Sequence, residues 1–473
     1  MMNIGIVHYH LKPGGVTTVI KQHIRSTCEA NDFLVICGEH TADPEISAPV
    51  VVIPELGYDR PDGHPICEDP DATAEAVINC LRKRWGKDCD LLHIHNPLLA
   101  KNRRFLQIVK ALAAKGQRLL LQIHDFAENG RPGSYYGNED YPENCHLAVI
   151  NTRDREILIA AGADPDGVHY IPNAVSGFPE PERTEDSEPV MLYPVRAIRR
   201  KNLGEAVLLS LFFKNKEKLA VTLPPNSAAD FPAYNSWRAF CRDYPVNVLF
   251  EASTSRPFRE WVTACRGMLS TSITEGFGFA FLEPWTAGRP LFGRKLPHLC
   301  GDFETAGVDL GHLYSRLAVP TEWLDREQLK GKIITAVAAG HRAFGRAAAD
   351  IGRDRFLSLT DQKNIDFGML DEDFQQQVIS RILASPGDRQ RLVKENPFLR
   401  NFEDTVSPEM IHRNAQVIHE NFSERVCGEQ LLAAYRRAAG KPVNQRIDKK
   451  QLLARFFHPA YFSLLQWGVY DDH

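Results

Sequence analysis

Through the first 176 residues, short apolar runs alternate with stretches of helical periodicity; the runs fall at 3–8, 33–37, 91–95, 119–123 and 147–151. Runs that stay apolar at successive positions suit strands covered on both faces, and the helical stretches between them suit crossovers, so the pattern predicts a parallel α/β sheet. Several runs end in polar clusters: His8-Tyr9-His10, His93-Ile94-His95-Asn96, His124-Asp125 and Asn151-Thr152. In such a sheet a ligand crevice forms at the carboxyl ends of the strands. Residues 174–189, AVSGFPEPERTEDSEP, break the rhythm with proline and acid and read as a linker. Beyond them the rhythm restarts at 190–195, 219–223, 246–250 and 268–273, predicting a second parallel α/β domain. From Trp323 the pattern is mostly helical, with candidate helices at 328–343, 374–383 and 408–437, and an aromatic-rich helical tail at 449–470. The expected boundaries are 1–176 for the first domain and 177–448 for the second, which carries an insert near 315–399. The helix in 449–473 is a candidate to pack back on the first domain.

Length and composition agree with two domains. At 473 residues the chain exceeds what one core usually supports. Hydrophobic residues at 43% and charged residues at 25% are ordinary globular values, and a net charge of −4 gives no general pull toward nucleic acid. The ten cysteines are scattered without a Cys-x-x-Cys pair, which fits reduced thiols in the cytoplasm better than a disulfide framework. The N-terminal stretch MMNIGIVHYHLKPGG does not read as a signal peptide, and no apolar stretch is long enough to span a bilayer. A soluble cytoplasmic protein is expected.

The densest chemistry lies at 270–288, STSITEGFGFAFLEPWTAG, where Glu275 and Glu283 bracket Gly276, Phe277 and Gly278. A strand running into a glycine turn exposes backbone N–H groups suited to a diphosphate, and the flanking carboxylates can accept from sugar or ribose hydroxyls. An ordinary strand-to-helix turn would explain the glycines alone. Upstream, Arg196 leaves a predicted strand and Lys201 follows, with Arg199 and Arg200 between them. Cations at a helix start are electrostatically unfavourable unless an anion is met there, and arginine and lysine can converge on one diphosphate. Which of the four points inward stays open. Gly14 and Gly15 link the first strand to a helix and allow close backbone approach, without the further glycines of the dinucleotide fingerprint. His124 closes a strand and precedes a long polar loop, where it can bond a sugar hydroxyl or simply serve the fold. His8 with His10, and His93 with His95, each share one strand face and have metal-ligand spacing, as in barrel metallohydrolases. The break after residue 176 argues against one barrel of eight strand-helix units. Asp366-Phe367-Gly368 lacks the other kinase loops.

Taken together, the Gly14-Gly15 loop, His124, Ile171-Pro172-Asn173, Arg196 with Lys201, and Glu275 to Glu283 as Glu-x7-Glu resemble the retaining glycosyltransferases of family 4. The resemblance implies the GT-B architecture, two facing Rossmann-like domains with a cleft between them, here with a helical C-terminal extension. It implies that Arg196 and Lys201 stabilise the departing diphosphate, that Glu275 lies by the donor sugar, and that Glu283 holds the ribose. Gly276, Phe277 and Gly278 would present backbone donors, and His124 would stand near the reacting sugar. Gly14, Gly15 and Asn173 would complete the donor site. The implied reaction moves a hexose from a nucleoside-diphosphate sugar to a hydroxyl acceptor with retention by same-face attack, and domain closure would exclude water. Fixed cations can stabilise the leaving group, so no obligatory metal or other cofactor is expected. Pro284 departs from the family pattern and would displace or kink the helix start. Basic stretches at 82–85 and 101–104 suit a solvated helix face, with an anionic acceptor or a peripheral membrane contact as the other readings. An epimerase or hydrolase of the same fold, and a non-catalytic nucleotide-sugar-binding protein, remain as alternatives. Donor base, acceptor and oligomeric state are open.

Overall fold

The computed structural model describes residues 1–40, 46–178, 190–214, 217–346 and 353–468. The chain divides into two compact units: Met1–Ser176 with Glu420–Phe457, and Gly177–His419 with His458–His473. Most of the expected linker, from 179 onward, lies outside the described residues.

The first unit is built on seven strands: β1 (Met2–His10), β2 (Asn31–Glu39), β3 (Val50–Val52), β4 (Leu91–His95), β5 (Leu119–Ile123), β6 (His146–Val149) and β7 (Val168–Tyr170). They pair in the order β3-β2-β1-β4-β5-β6-β7, every neighbour parallel. Strands β4 and β5 coincide with the apolar runs at 91–95 and 119–123. β3 and β7 carry only three residues each, too few to produce a readable run. The strand order reverses between β1 and β4, so the loops leaving those two strands flank a switch point.

Both faces are covered, as the apolar runs require. The helix Glu424–Gly440 places Leu431, Ala434, Tyr435 and Ala438 in one core with Ile20 and Ile24 of the helix Gly15–Thr27. The two helices approach closely at Gly428, where a Cβ would stand 2.7 Å from that of Ser26. The helical stretch expected at 408–437 is two helices, Pro408–Phe422 and Glu424–Gly440, separated at Ser423. The second of them joins the first unit, so the structure differs from a second domain running unbroken to 448. The helix Lys449–Phe456 also belongs to the first unit, with Leu452 and Phe456 in its other core, whereas His458 onward returns to the second unit.

The second unit carries β8 (Val190–Arg196), β9 (Lys218–Leu223), β10 (Val248–Leu249), β11 (Gly267–Ser270) and β12 (Leu291–Gly293), all parallel in the order β10-β9-β8-β11-β12. The switch falls between β8 and β11. The segment expected as an insert folds as part of this unit. Its strands β13 (Ala318–Pro320) and β14 (Asn364–Asp366) pair antiparallel, and Arg294 ties them to the sheet. The buried Arg294 guanidinium reaches Glu205 at 2.6 Å and Asp366 at 2.8 Å, and Tyr314 donates to the same Glu205 at 2.6 Å. This contact also gives the Asp366-Phe367-Gly368 triplet a structural use.

Removing one partner of a buried ion pair leaves an uncompensated charge and costs about 3–5 kcal/mol. Arg294→Leu is therefore expected to lower the urea midpoint of the second unit by that amount of stability. A midpoint unchanged from the parent protein would show that the network does not hold the segment.

Candidate functional site

In the second unit the site is assembled by stitching two loops together. β8 ends at Arg196 and the chain turns through Arg199–Lys201 to Asn202, a left-handed residue with φ of 60°. β11 ends at Ser270 and the chain continues through Thr271. The buried Tyr193 hydroxyl donates to the Lys201 carbonyl and lies 2.9 Å from Thr271 Oγ1. Thr271 Oγ1 donates to the Asn202 carbonyl at 2.9 Å, and Ile273 N–H to the Arg200 carbonyl at 3.0 Å. The consequence is electrostatic. Lys201 Nζ forms an ion pair with Glu275 Oε1, Ser272 donates to the same oxygen at 2.7 Å, and Arg200 stands 3.5 Å from Oε2. Burial pushes the Glu275 carboxyl up, but Lys201 and then Arg200 outweigh it and hold it below its ordinary value.

The four cations of this stretch are thereby sorted. Lys201 and Arg200 face Glu275. Arg199 does not: it pairs with the buried Glu372 at 2.7 Å and donates to the Gly468 carbonyl at 2.7 Å, anchoring the C-terminal segment. Arg196 is exposed, with Nη1 3.5 Å from the Pro224 carbonyl, and forms no ion pair among the described residues. Sequence reasoning left Arg200 undecided and missed Ser272 and Tyr193. A hydroxyl three residues before Glu275 was the one available signal for Ser272.

The glycine loop meets expectation at its turn and departs from it downstream. Gly278 is left-handed at φ 92°, and a Cβ there would meet Leu299 at 2.7 Å, so both conformation and packing demand glycine. The Phe277 ring is buried against Phe279 and Phe303. Beyond Gly276 and Gly278 the chain makes a single 3-10 turn, Phe279–Phe281, and then a four-residue helix, Glu283–Thr286. Pro284 sits in the first turn of that helix, where its missing N–H is harmless, so it neither shifts nor kinks the start. Half-buried Glu283 has its carboxyl raised by burial and no cation partner among the described residues.

In the first unit Gly14 caps the helix Gly15–Thr27 with extended backbone, and a Cβ at Gly15 would meet nothing within 4 Å. Neither residue is glycine for strain or packing, which leaves close approach of something else as the physical use. His124 follows β5, and its N–H donates at 2.8 Å to the Asn96 side chain, which Asn96 presents from a left-handed backbone at φ 54°. Its Nε2 lies 3.0 Å from His95 Nδ1. Burial pushes His124 down to about 4, so the imidazole is neutral near pH 7. Asn173 is buried with its Oδ1 unpartnered. Of the two His-x-His pairs, His93 and His95 are fully buried, while His8 is buried and His10 half-buried beside Tyr58. The basic stretch at 82–85 is neutralised locally: Arg82 pairs with Asp88 at 2.7 Å and Arg84 with Asp32 at 2.8 Å. No described helix is long and apolar enough to cross a membrane.

The Lys201–Glu275 pair makes a pH-resolved prediction. Because the folded Glu275 is held below its ordinary 4.5, the pair's contribution is present above that pH and is lost as pH falls through the lowered value. Lys201→Ala should therefore cost about 3 kcal/mol near pH 7, and less as the carboxyl protonates in acid. Urea midpoints of parent and variant measured from about pH 7 down to about pH 2.5 check this, since the loss falls below the ordinary value; a gap that stays constant over that whole range contradicts it.

No protein-family model matches this chain. It is similar to the mannosylglucosyl-3-phosphoglycerate synthase of Petrotoga mobilis, 28% identical over 336 residues, covering 63% of this chain and 65% of that protein. The match thus spans less than two thirds of the relative's length. Among solved structures, Anabaena HepE in complex with UDP and glucose superposes with a TM-score of 0.53 at 12% identity, covering 92% of this chain and 99% of that one. A glycosyltransferase of Rickettsia africae gives 0.52 at 9% identity over 93% and 99%. The lipopolysaccharide outer core galactosyltransferase WaaB gives 0.50 at 14% identity over 92% and 99%. The chain has the GT-B fold of glycosyltransferases.

Proposed function

We propose that this protein is a retaining glycosyltransferase that moves a hexose from a nucleoside-diphosphate sugar to a hydroxyl acceptor. The observation that carries this reading is the convergence at one sheet edge of β8 and β11. There Lys201 and Arg200 face Glu275, Arg196 is exposed with no ion-pair partner among the described residues, and the Gly276–Gly278 backbone follows Glu275. A diphosphate arriving at this edge would find the cations already oriented, and it would compete with Glu275 for Lys201. In this reading Arg196 and Lys201 stabilise the charge that develops as the diphosphate leaves. Glu275 lies by the donor sugar, and Glu283, whose carboxyl has no cation partner among the described residues, accepts from the ribose hydroxyls.

The remaining roles are assigned to residues of the first unit. His124, neutral near pH 7, donates or accepts a hydrogen bond at the reacting sugar without adding charge. Gly14 and Gly15 leave room for a substrate against the backbone, and Asn173 offers its unpartnered oxygen. The acceptor attacks from the face that the diphosphate leaves and passes its proton to the departing phosphate, so no enzyme nucleophile is needed. Fixed cations do the work of a magnesium ion at the diphosphate, and the transfer step requires none. The Petrotoga relative suggests the acceptor class: a sugar already joined to phosphoglycerate, presenting a free hydroxyl and an anionic tail. The free cysteines favour a cytoplasmic setting.

The first experiment is thermal stabilisation by uridine, guanosine and adenosine diphosphates and their hexoses, with and without magnesium. One base should stabilise the protein equally in both conditions. With that donor and a glucosyl-phosphoglycerate acceptor, Arg196→Ala and Lys201→Ala are each expected to lower kcat/KM by roughly 100-fold. Unchanged turnover in both variants removes these residues from the mechanism, and product formed without acceptor redirects the reading to a hydrolase or epimerase.

A further inference from the structure

The structure adds a third histidine to the His93-x-His95 pair. His93 and His95 lie two residues apart on β4, so both side chains leave the same face of the sheet. The helix Gly15–Thr27 contributes His23, whose ring stacks on that of His93 with centroids 5.5 Å apart and lies 5.6 Å from that of His95. All three are buried, and one ring nitrogen from each lies within 4.8 Å of the others.

The hydrogen bonds of His93 and His95 allow a tautomer set that leaves one nitrogen of each ring spare. His93 Nδ1 stands 2.9 Å from the Tyr435 hydroxyl, and His95 Nδ1 stands 3.0 Å from His124 Nε2. With each Nδ1–H donating, both Nε2 atoms keep their lone pairs. Those two atoms and His23 Nδ1 are buried with no hydrogen-bond partner within normal geometry among the described residues, although the buried Gln122 amide stands beside His93. An unpaired buried polar atom costs about 1–3 kcal/mol, so three together call for a ligand. One water donates two hydrogens and leaves a third lone pair unserved. A divalent cation accepts from all three.

We propose that His23, His93 and His95 bind a transition metal ion of the zinc class through His23 Nδ1, His93 Nε2 and His95 Nε2. Three neutral imidazoles suit zinc and not magnesium, which prefers oxygen ligands. Zinc–nitrogen bonds of about 2.0–2.1 Å at tetrahedral angles place the nitrogens roughly 3.3 Å apart, so the rings would close inward by up to about 1.5 Å. Tyr435 and His124 then become the outer partners that fix the ligand tautomers. The absence of a metal requirement proposed for the donor diphosphate concerns a different place, in the second unit. That the metal would orient His124 at the reacting sugar rests on the transferase reading; the site itself does not.

The test is metal content of the full chain purified without chelators, with cobalt titration of the stripped protein. One zinc per chain is expected, with visible ligand-field absorption of tetrahedral cobalt and a rise in Tm when zinc is returned. His23→Gln and His93→Gln should each retain less than a tenth of the zinc, while His169→Gln, outside the cluster, should keep it. Wild-type protein that holds no stoichiometric zinc, and shows neither the cobalt spectrum nor stabilisation by added zinc, overturns the proposal without reference to variant folding. Retention of zinc by both cluster variants overturns the ligand assignment. No sugar substrate enters these measurements, so their failure is distinct from failure of the transferase reading.

Discussion

Parallel pairing throughout both large sheets is the constraint on which the other features depend. A parallel ladder needs crossover connections, the crossovers cover both faces, and covered strands must be apolar along their length. Polar chemistry is then excluded from most of each strand and gathers where the chain leaves the sheet. The same constraint makes the exceptions informative. A histidine pair inside a fully covered strand, as at His93 and His95, contradicts the apolar rule and has to be accounted for by the groups that meet it.

Within the second unit, charge placement depends on which carboxylate each cation can reach. Four basic residues cluster between 196 and 201, an arrangement that self-repulsion disfavours. The fold disperses them: Arg199 goes to Glu372 in the helical region, Lys201 and Arg200 go to Glu275, and Arg196 stays in solvent. Arg294 plays the corresponding role for the downstream segment, holding Glu205 through Nε and Nη2 and Asp366 through Nη1 and Nη2 of one guanidinium. These pairs set the loop geometry as much as the apolar core does, because burying any member alone is costly.

The first unit shows the complementary strategy, in which burial keeps titratable groups neutral. His8, His93 and His124 are all pushed to about 3 or 4, and burial is the leading cause for each. Imidazoles in this condition act as hydrogen-bonding groups with lone pairs and carry no charge. That makes them suited to sugar hydroxyls or a metal ion, and poor partners for a diphosphate. The surroundings of Glu275 and of His124 therefore differ in the chemistry they offer: buried paired charge at the first and neutral imidazoles at the second.

The amino-acid pattern alone determined the two parallel sheets, because burial on both faces forces a long apolar run that local periodicity displays; β4 and β5 match their runs residue for residue. It also located the Arg196, Lys201, Glu275 and Glu283 segments, since strand ends are where polar residues interrupt such runs. It was silent on β3 and β7, which are three residues long, and on the break at Ser423, where both flanking segments keep helical periodicity. Only the tertiary structure decided that the helix 424–440 belongs with the first unit, that Arg199 serves Glu372 while Arg200 turns to Glu275, and that His23 joins His93 and His95. Each of these is a contact between residues distant in the chain, set by how helices pack on a sheet, and spacing along the sequence carries no record of it.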